Sequence, residues 1–486
     1  MEKSRGNTHV CSYMKFMARP SNQADKDFMA MECSLYISDL MDHLGYSYEM
    51  IRYRQQTYSY YDRFERCSIH TRVTTGGKGE GTNFYYESDI DYIHIVKDAL
   101  CAQNPKKLIH KKNISLFKMD IQATTPGTTK LKLIKSDGDP YKIPIMALLI
   151  LDNGERYLSS DLFTHEIKKY VHEWRLRNEI KIHPTRGPST PTSLGNLNID
   201  NVRCFRCLYH KHLQAWASRR RPRGWPSREH VHDICDINGH VVPVGLKGSP
   251  TQYLEWRISY TPAELYLMKN LNETQLKVYI ILKNKSKSVL KPTSDDITSY
   301  IMKNIFLWQC ETLGMDIFAK HTLTATIEDC LRYLKRSVEN NCLHSYMIPE
   351  RNLLDGKLNI NQRRQLISLI NDSLELGNIP LSYMLRAGVR VMFDAPDVLK
   401  EFGRKRKRVE MLVLMKKRII LEMQKTHETE TETEQILILS KNKDYLDTVK
   451  EIEMLINFDS SALKQEGKFC LEVIAALEGR LTKLLS

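Results

Sequence analysis

The sequence predicts an α+β protein in which a sheet-forming segment is followed by helices. Residues 26 to about 66 carry apolar side chains at helical intervals and contain no proline. From about residue 70 to 150, short β-branched and aromatic runs such as DYIHIV and KLKLIK alternate with glycine, aspartate and proline turns. From about residue 260 onward the apolar spacing is mostly helical. These observations predict an N-terminal helix, a mixed sheet, a helical region and a helical tail.

Four segments are predicted from these changes of composition. They are an N-terminal helical region at 1–66, a sheet-containing core at 67–254, a helical lobe at 255–394 and a C-terminal extension at 395–486. The extension starts with the basic amphipathic stretch KEFGRKRKRVEMLVLMKKRIILEMQK, continues through the acidic linker THETETETEQ and ends in a helical pair.

Composition narrows the class of protein. A chain of 486 residues is long enough for two or three domains, and its formal net charge of +14 favours a polyanionic partner. The first residues lack the apolar core of a signal peptide, and the longest apolar run, residues 143–151, is far shorter than the roughly 20 residues of a spanning helix. The 11 cysteines do not form the pattern of a secreted disulfide framework, so a cytoplasmic location without a transmembrane segment is expected.

A pair of acids follows a glycine turn. Gly76 and Gly77 open the stretch GGKGEGTNFYYESDIDYI, which closes on Asp89 and Asp91. On a strand the two carboxylates would share one face and repel each other unless a cation neutralises them, and oxygen ligands suit Mg²⁺. Adjacent glycines let the backbone approach a phosphate. A solvated acidic strand beside an ordinary turn fits the same residues, so the pair alone leaves both interpretations open.

The spacing of these glycines and acids resembles the signature of polymerase-β-like nucleotidyltransferases. More narrowly, the chain is similar to the cyclic GMP–AMP synthase-like receptors of the Mab family from about residue 60 to 390. The motifs that carry the resemblance are RRRPRGWPS (219–227), VVPVG (241–245), EWRISYTPAE (255–264), SYIMKNIFLWQCE (299–311) and CLHSYMIPERNLL (342–354). The resemblance implies a bilobed nucleotidyltransferase fold, with a mixed sheet lobe, a helical lobe and here a helical C-terminal extension.

The resemblance also assigns a third acid. Asp200, in NIDNVRCFRC, occupies the place of the family's third metal carboxylate, so Asp89, Asp91 and Asp200 are the expected catalytic residues and ligands of two Mg²⁺ or Mn²⁺ ions. The alternative for Asp200 is an ordinary turn carboxylate.

Five further residues match nucleotide-contacting positions of the family. They are Arg257, Ser259 and Thr261 around WRISYT, Lys283 on QLKVYIILK, and Tyr333 in EDCLRYL, where a nucleobase would stack. Together with Gly76 and Gly77 they form the expected nucleotide-binding set. Arg257 could equally belong to a buried structural ion pair, and Lys283 could be a solvated lysine on a helix. For Tyr333 the alternative is a core position, since a tyrosine on an apolar helix face is more often part of a core.

Two features concern zinc. Cyclic GMP–AMP synthase itself carries a zinc thumb between its WRIS and SYxxK helices, but residues 261–310 contain no His and only Cys310, so no zinc thumb is expected. In that enzyme the thumb serves DNA recognition, so the resemblance favours double-stranded RNA over double-stranded DNA as the activator. The CFRC stretch at 204–207, followed by several histidines, has zinc-like spacing; packed cysteines are the alternative.

A nucleic-acid receptor needs a basic surface apart from the active site. The candidate residues are Lys106, Lys107, Lys111, Lys112, Arg404, Lys405 and Arg406. For the 404–408 run, a nuclear-localisation-like or solvated patch is an equal alternative.

The predicted function is synthesis of a cyclic dinucleotide messenger from ATP and GTP, switched on by double-stranded nucleic acid in innate immune signalling. A ligand-induced dimer is a further expectation of the resemblance. The alternatives are a catalytically inactive family member that binds nucleotide or protein, and a nucleotidyltransferase that makes a linear product.

Overall fold

A computed structural model describes residues 23–64, 68–85, 88–122, 124–139, 142–175, 180–194, 197–375, 391–392, 394–427 and 431–456. The strands are β1 (His70–Thr75), β2 (Ile90–Ala102), β3 (Ser115–Asp120), β4 (Thr128–Lys135), β5 (Leu148–Ile150), β6 (Arg156–Leu158), β7 (Ile180–Ile182), β8 (Thr190–Leu194), β9 (Leu197–Cys207), β10 (Gly239–Val242) and β11 (Glu255–Ser259). The longer helices are α1 (Gln23–Met41), α2 (Tyr48–Phe64), α3 (Ser160–Arg175), α4 (Lys211–Ser218), α5 (Arg228–Cys235), α6 (Thr261–Lys269), α7 (Glu273–Lys285), α8 (Ser299–Leu313), α9 (Leu323–Glu339), α10 (Ile360–Glu375), α11 (Pro396–Thr426), α12 (Glu432–Leu439) and α13 (Lys443–Ile456).

The N-terminal helical stretch is interrupted in its middle. After α1 the chain forms a π-helical turn, Asp42–Tyr46, in which Gly45 adopts a φ of +90° before α2 begins. A left-handed backbone favours glycine because it has no Cβ. The predicted N-terminal helix is therefore two helices, α1 and α2, joined by the turn that contains Gly45.

The sheet is mixed and closes on itself. Strand β2 pairs in parallel with both β3 and β9, and β3–β4, β4–β11, β11–β10 and β10–β9 are antiparallel pairs. The six strands therefore form a closed ring, while β1 adds to the first half of β2, and β8 and β7 extend the far side of β9. β11 belongs to this sheet, which thus runs on to Ser259, past the predicted boundary at 254.

Aromatic side chains fill the core of the sheet region. Phe117 stacks on Phe205. The ring centroids of Phe205, Trp256 and Phe163, which is on α3, lie within 5.3 Å of one another. The Trp256 indole donates to the Leu158 carbonyl at 2.9 Å, which satisfies its buried polar group. This packing holds β9 and β11, which flank β10 in the sheet, against α3.

The helical region surrounds the buried helix α7. Asn272 and Gln275 form a capping box at its N-terminus, and most of its residues are buried. The long helix α11 packs against α2 and the π-turn, and α13 packs on α11. The architecture is thus the expected α+β one, a mixed sheet with helices and a helical C-terminal part. Among the described residues, no helix combines the length and apolarity needed to cross a membrane.

Candidate active site

The candidate site starts where β1 runs into a glycine turn. Thr75, the last residue of β1, pairs with Asp91 on β2, and the next four residues, Gly76–Gly79, form a single helical turn. Gly76 has a φ of +57°, and a Cβ built on it would overlap the Asp91 carboxylate. Only glycine therefore fits this position while Asp91 keeps its place.

The structure brings the three predicted acids to one region of the sheet. Asp91 and Asp200 are directly opposite each other across the parallel β2–β9 pair. Asp89 lies immediately before β2, not on the strand as the sequence pattern predicted. Ser189 donates a hydrogen bond to Asp200 Oδ1 at 2.9 Å and so orients that carboxylate.

The acids crowd negative charge around Asp91. Burial, together with the carboxylates of Asp200, Glu80 and Asp89, raises the pKa of Asp91 to about 7, against the lowering effect of the Lys283 ammonium. A divalent cation would relieve this repulsion, and carboxylate oxygens are suitable ligands for Mg²⁺ or Mn²⁺. Among the described residues, however, no three His, Cys, Asp or Glu side chains are gathered closely enough to hold a metal ion. The donor chemistry fits a metal, whereas the side chains do not converge on one point.

Lys283 reaches the glycine turn from helix α7. Its Nζ donates to Thr82 Oγ1 at 3.2 Å and to Asn83 Oδ1. A Cβ built on Gly77 would come within 2.6 Å of this Nζ, so the ammonium lies directly against the turn. Lys283 therefore joins the helical region to the segment that leads from the glycines to Asp89.

The residues predicted on β11 lie in a mixed-charge cluster. Burial and the neighbouring Arg351 lower the pKa of Arg257 to about 10, against the opposite effect of Tyr300 and Glu264. The hydroxyls of Ser259 and Thr261 are 2.8 Å apart and hydrogen bonded. Arg257 is thus not a member of a simple buried ion pair.

Residues that the sequence analysis did not select connect this cluster to the glycine turn. Lys303 Nζ lies 2.5 Å from Glu80 Oε1 and 3.8 Å from Glu264 Oε2. The Tyr300 hydroxyl donates to Glu264 Oε1 at 3.1 Å. Burial alone would lower the pKa of Lys303, but the Glu80 carboxylate raises it well above its ordinary value. The signal was the three-residue spacing of Tyr300 and Lys303 in SYIMK, which places both on one helix face.

Comparison with known proteins finds similarity over part of the chain. Residues 264–372 match the Mab-21 protein HhH/H2TH-like domain. The chain is also 26% identical, over 162 residues, to a cyclic GMP-AMP synthase-like receptor from Aethina tumida. Both matches support the resemblance to the cGAS-like, Mab-21 proteins. The match to the receptor covers 33% of this chain and only 36% of that relative's length.

Tyr333 lies within the matched domain but not beside the acids. Its electrostatic neighbours are Arg336, Cys342 and Arg219, and the Arg336 guanidinium lies 5.8 Å from its ring centroid. The ring also packs against the main hydrophobic core. The tyrosine that lies with Arg257 and Glu264 is Tyr300.

The CFRC cysteines are packed on opposite sides of β9. Cys204 belongs to a small apolar cluster with Ile93 and Val242, whereas Cys207 belongs to the main core and contacts the Met119 sulfur at 3.4 Å. Burial raises the pKa of both thiols. Two sulfurs on opposite faces of one strand cannot share a zinc ion, which agrees with the packed-cysteine interpretation.

The predicted basic residues divide into exposed and internal ones. Lys106, Lys107, Lys111 and Lys112 are exposed on the segment after β2, and Arg404 and Lys405 are exposed on α11. Arg406 instead points inward, with its guanidinium 4.5 Å from the ring centroid of Phe84.

The RRRPRG motif of the family contributes to the helical core. Arg219 forms an ion pair with Glu311 at 2.8 Å and lies over the ring of Trp308. Arg221 is 3.4 Å from the same carboxylate and lies over the ring of Trp216. The basicity of this motif therefore has a structural explanation within the chain.

Proposed function

We propose that this chain is a metal-dependent nucleotidyltransferase that joins ATP and GTP into a cyclic dinucleotide. The observation that carries the proposal is the opposition of Asp91 and Asp200 across β2 and β9, next to the Gly76–Gly77 turn. The match of residues 264–372 to the Mab-21 domain supports it, and so does the name of the relative from Aethina tumida.

Each group of residues has a role in this proposal. Asp89, Asp91 and Asp200 would hold two Mg²⁺ or Mn²⁺ ions, which supply charge neutralisation for the attacking hydroxyl and the leaving pyrophosphate. The Gly76–Gly77 backbone would bind the phosphates, and Lys283, whose ammonium lies against Gly77, would provide a point charge for the triphosphate. Arg257, Ser259 and Thr261 would contact the nucleobase and phosphates, and Tyr300, which lies with Arg257 and Glu264, would take the place of Tyr333 as the aromatic group of the site.

Double-stranded RNA is the proposed activator, in the cytoplasm and in an innate immune role. The exposed lysines after β2 and the exposed basic pair on α11 give sequence-independent phosphate contacts. The eight cysteines of the described residues are all free thiols, which suits a reducing compartment. A dimer formed on RNA is part of the proposal.

Incubation of purified protein with labelled ATP and GTP tests the reaction. Mg²⁺ or Mn²⁺ is supplied, with double-stranded RNA, double-stranded DNA or no nucleic acid. We expect a nuclease-resistant cyclic product with RNA and none from the Asp89→Asn/Asp91→Asn double variant. An absence of product with every ligand, equal to that of the double variant, would refute the enzymatic proposal.

A second candidate is a family member that binds nucleotide or protein without catalysis. It is favoured by one observation, namely that the acid side chains are not gathered into a metal-binding group in the described residues. In that case Mg²⁺ or Mn²⁺ would not change the thermal stability of the protein, whereas a nucleoside triphosphate alone would increase it.

A further inference from the structure

We propose that helix α11 of the C-terminal extension contributes a positioning residue, Glu410, to the candidate active site. Glu410 acts through Arg54 on residues 80–85, the site loop, which connects the glycine turn to Asp89. This inference rests on the proposed function for its catalytic consequence, while its structural part can be tested without any activity.

The link begins with a buried ion pair. Arg54 on α2 donates from Nε to Glu410 Oε1 and from Nη2 to Glu410 Oε2, both at 2.6 Å. The side chains are 0% and 1% exposed, respectively. A two-point pair of this kind fixes the orientation of the guanidinium more tightly than a single contact would.

The remaining donors of Arg54 hold two backbone carbonyls. Nη1 donates to the Gly81 carbonyl in the site loop at 3.1 Å, and Nη2 donates to the Gly45 carbonyl in the π-turn at 2.6 Å. A buried ion pair contributes little net stability compared with apolar side chains of the same volume. The ion pair instead fixes the relative positions of α11, the π-turn and the site loop, because the Arg54 guanidinium contacts all three.

A second contact from α11 reaches the same loop. The Arg406 guanidinium lies over the Phe84 ring, and it occupies space that a Cβ on Gly45 would otherwise fill. Lys78 donates to the carbonyls of Phe84 and Tyr85, the latter at 2.7 Å. Phe84 is therefore held from the glycine turn on one side and from α11 on the other.

The loop positioned in this way carries the partners of Lys283. The amides of Thr82 and Asn83 donate to the Gly77 carbonyl at 2.9 and 3.1 Å, and their side chains accept from Lys283. A shift of Gly81 would move both residues relative to the glycine turn. Glu410 thus affects the site although it touches none of the acids.

The test uses amide hydrogen exchange in two full-length variants. Glu410→Gln keeps the shape of the side chain but removes the charge that holds Arg54. Glu451→Gln is the matched control, because it removes the partner of Arg408, which is on α11 like Glu410. This ion pair does not involve the site loop, and its Arg408 and Glu451 side chains are 49% and 34% exposed. We expect the amides of residues 80–83 to exchange about tenfold faster in Glu410→Gln and at the wild-type rate in Glu451→Gln.

Two outcomes would overturn the inference. One is unchanged exchange at residues 80–83 in Glu410→Gln. The other is an equal increase in β9, since that would indicate global destabilisation. If Glu410→Gln does not fold, Arg406→Met replaces it, with an increase expected at residues 83–85 and none in β9.

Kinetics test the catalytic consequence. We expect kcat of Glu410→Gln to fall about tenfold with less than a threefold change in KM, because misalignment of the loop costs the transition state more than ground-state binding. Equal kcat in Glu410→Gln and Glu451→Gln would contradict a positioning role. If the wild type makes no product, the proposed reaction fails, while the exchange experiment still decides whether α11 positions the loop.

Discussion

Asp91 combines an unfavourable charge environment with the position expected of a metal ligand. Its pKa is raised from 3.8 to about 7, so the folded protein retains a proton that the unfolded chain has lost between these pH values. Stability must therefore fall as pH rises through this window. Such a conflict is common where a residue is selected for function rather than for stability.

Replacement of Asp91 by Asn separates the two effects. At pH 8, without metal, we expect the variant to be about 2 kcal/mol more stable than the wild type, because a neutral amide is not repelled by Asp200 and Glu80. The same variant should form no cyclic product. Urea unfolding measures the stability, and Asp295→Asn, whose side chain is 92% exposed, is the control with no expected change. If the Asp91→Asn protein were less stable than the wild type, favourable interactions of the Asp91 carboxylate would outweigh its repulsion by Asp200 and Glu80.

Lys283→Met tests the lysine beside the glycine turn. Loss of the ammonium removes the positive charge nearest Gly77, so we expect KM for the nucleoside triphosphate to rise about tenfold. Steady-state kinetics provide the measurement. Lys287→Met, an exposed lysine one turn further along the chain, should leave KM unchanged. If both variants gave the wild-type KM, Lys283 would have only a structural role.

Individual residues differ in how far the sequence could predict them. Gly76, Asp89 and Asp91 form a local pattern, so their proximity follows from chain connectivity. Tyr333 and Arg406 occur in suggestive motifs, but the direction in which each side chain points depends on tertiary packing against Arg336 or Phe84. Tyr300 was within a recognised motif, yet its role as the partner of Glu264 requires two helices to be placed first.

At the scale of elements, the crossing of α11 over the π-turn depends on one small residue. A Cβ on Gly403 would lie 2.8 Å from the His43 carbonyl oxygen, closer than real contacts allow. The basic composition of this segment predicted an amphipathic helix but not the surface on which it packs. The buried positions Val409, Leu412 and Val413 are apolar, as expected, whereas the buried Glu410 could be interpreted only after Arg54 was located.

Gly403→Leu tests this close crossing. The larger side chain would push α11 away from the π-turn, and we expect a loss of about 3 kcal/mol in the free energy of unfolding. Arg404→Leu, at the exposed next position, should change it by less than about 0.5 kcal/mol. Urea titrations of both variants provide the measurement, and equal midpoints would mean that α11 does not approach His43 as described.

Some elements could not be predicted from local patterns at all. The closure of the sheet depends on β2 pairing with both β3 and β9, contacts between strands far apart in the chain. The break at Gly45 also escaped prediction, since a single glycine is compatible with a continuous helix.

For the whole molecule, buried histidines determine the response to acid. Burial lowers the pKa of His70 to about 4, of His94 to about 3 and of His240 to about 4. The unfolded chain takes up these protons below about pH 6.5, whereas the folded protein does not, so stability is lost as pH falls from about 6.5 to about 4. Asp91, Asp42 and Asp62, whose pKa values are raised, act in the opposite direction, whereas the lowered pKa of His212 adds to the effect of the three histidines.

We therefore expect a lower urea midpoint at pH 5 than at pH 7. The cause is the uptake of protons by the unfolded state, so a His240→Gln variant that folds normally should show a smaller difference between the two pH values. A midpoint that is equal or higher at pH 5 would mean that the histidines are accessible to protons in the folded protein.

The parallel pairing of β2 with β9 has a consequence for synthesis of the chain. Asp91 leaves the ribosome more than a hundred residues before Asp200, and until β9 follows, the edge of β2 has no partner on that side. Contacts between such distant segments form late in folding. β9 supplies the missing partner of β2 and also brings the last acid, so a nascent chain that stops short of β9 has neither a complete sheet nor the pair of Asp91 and Asp200.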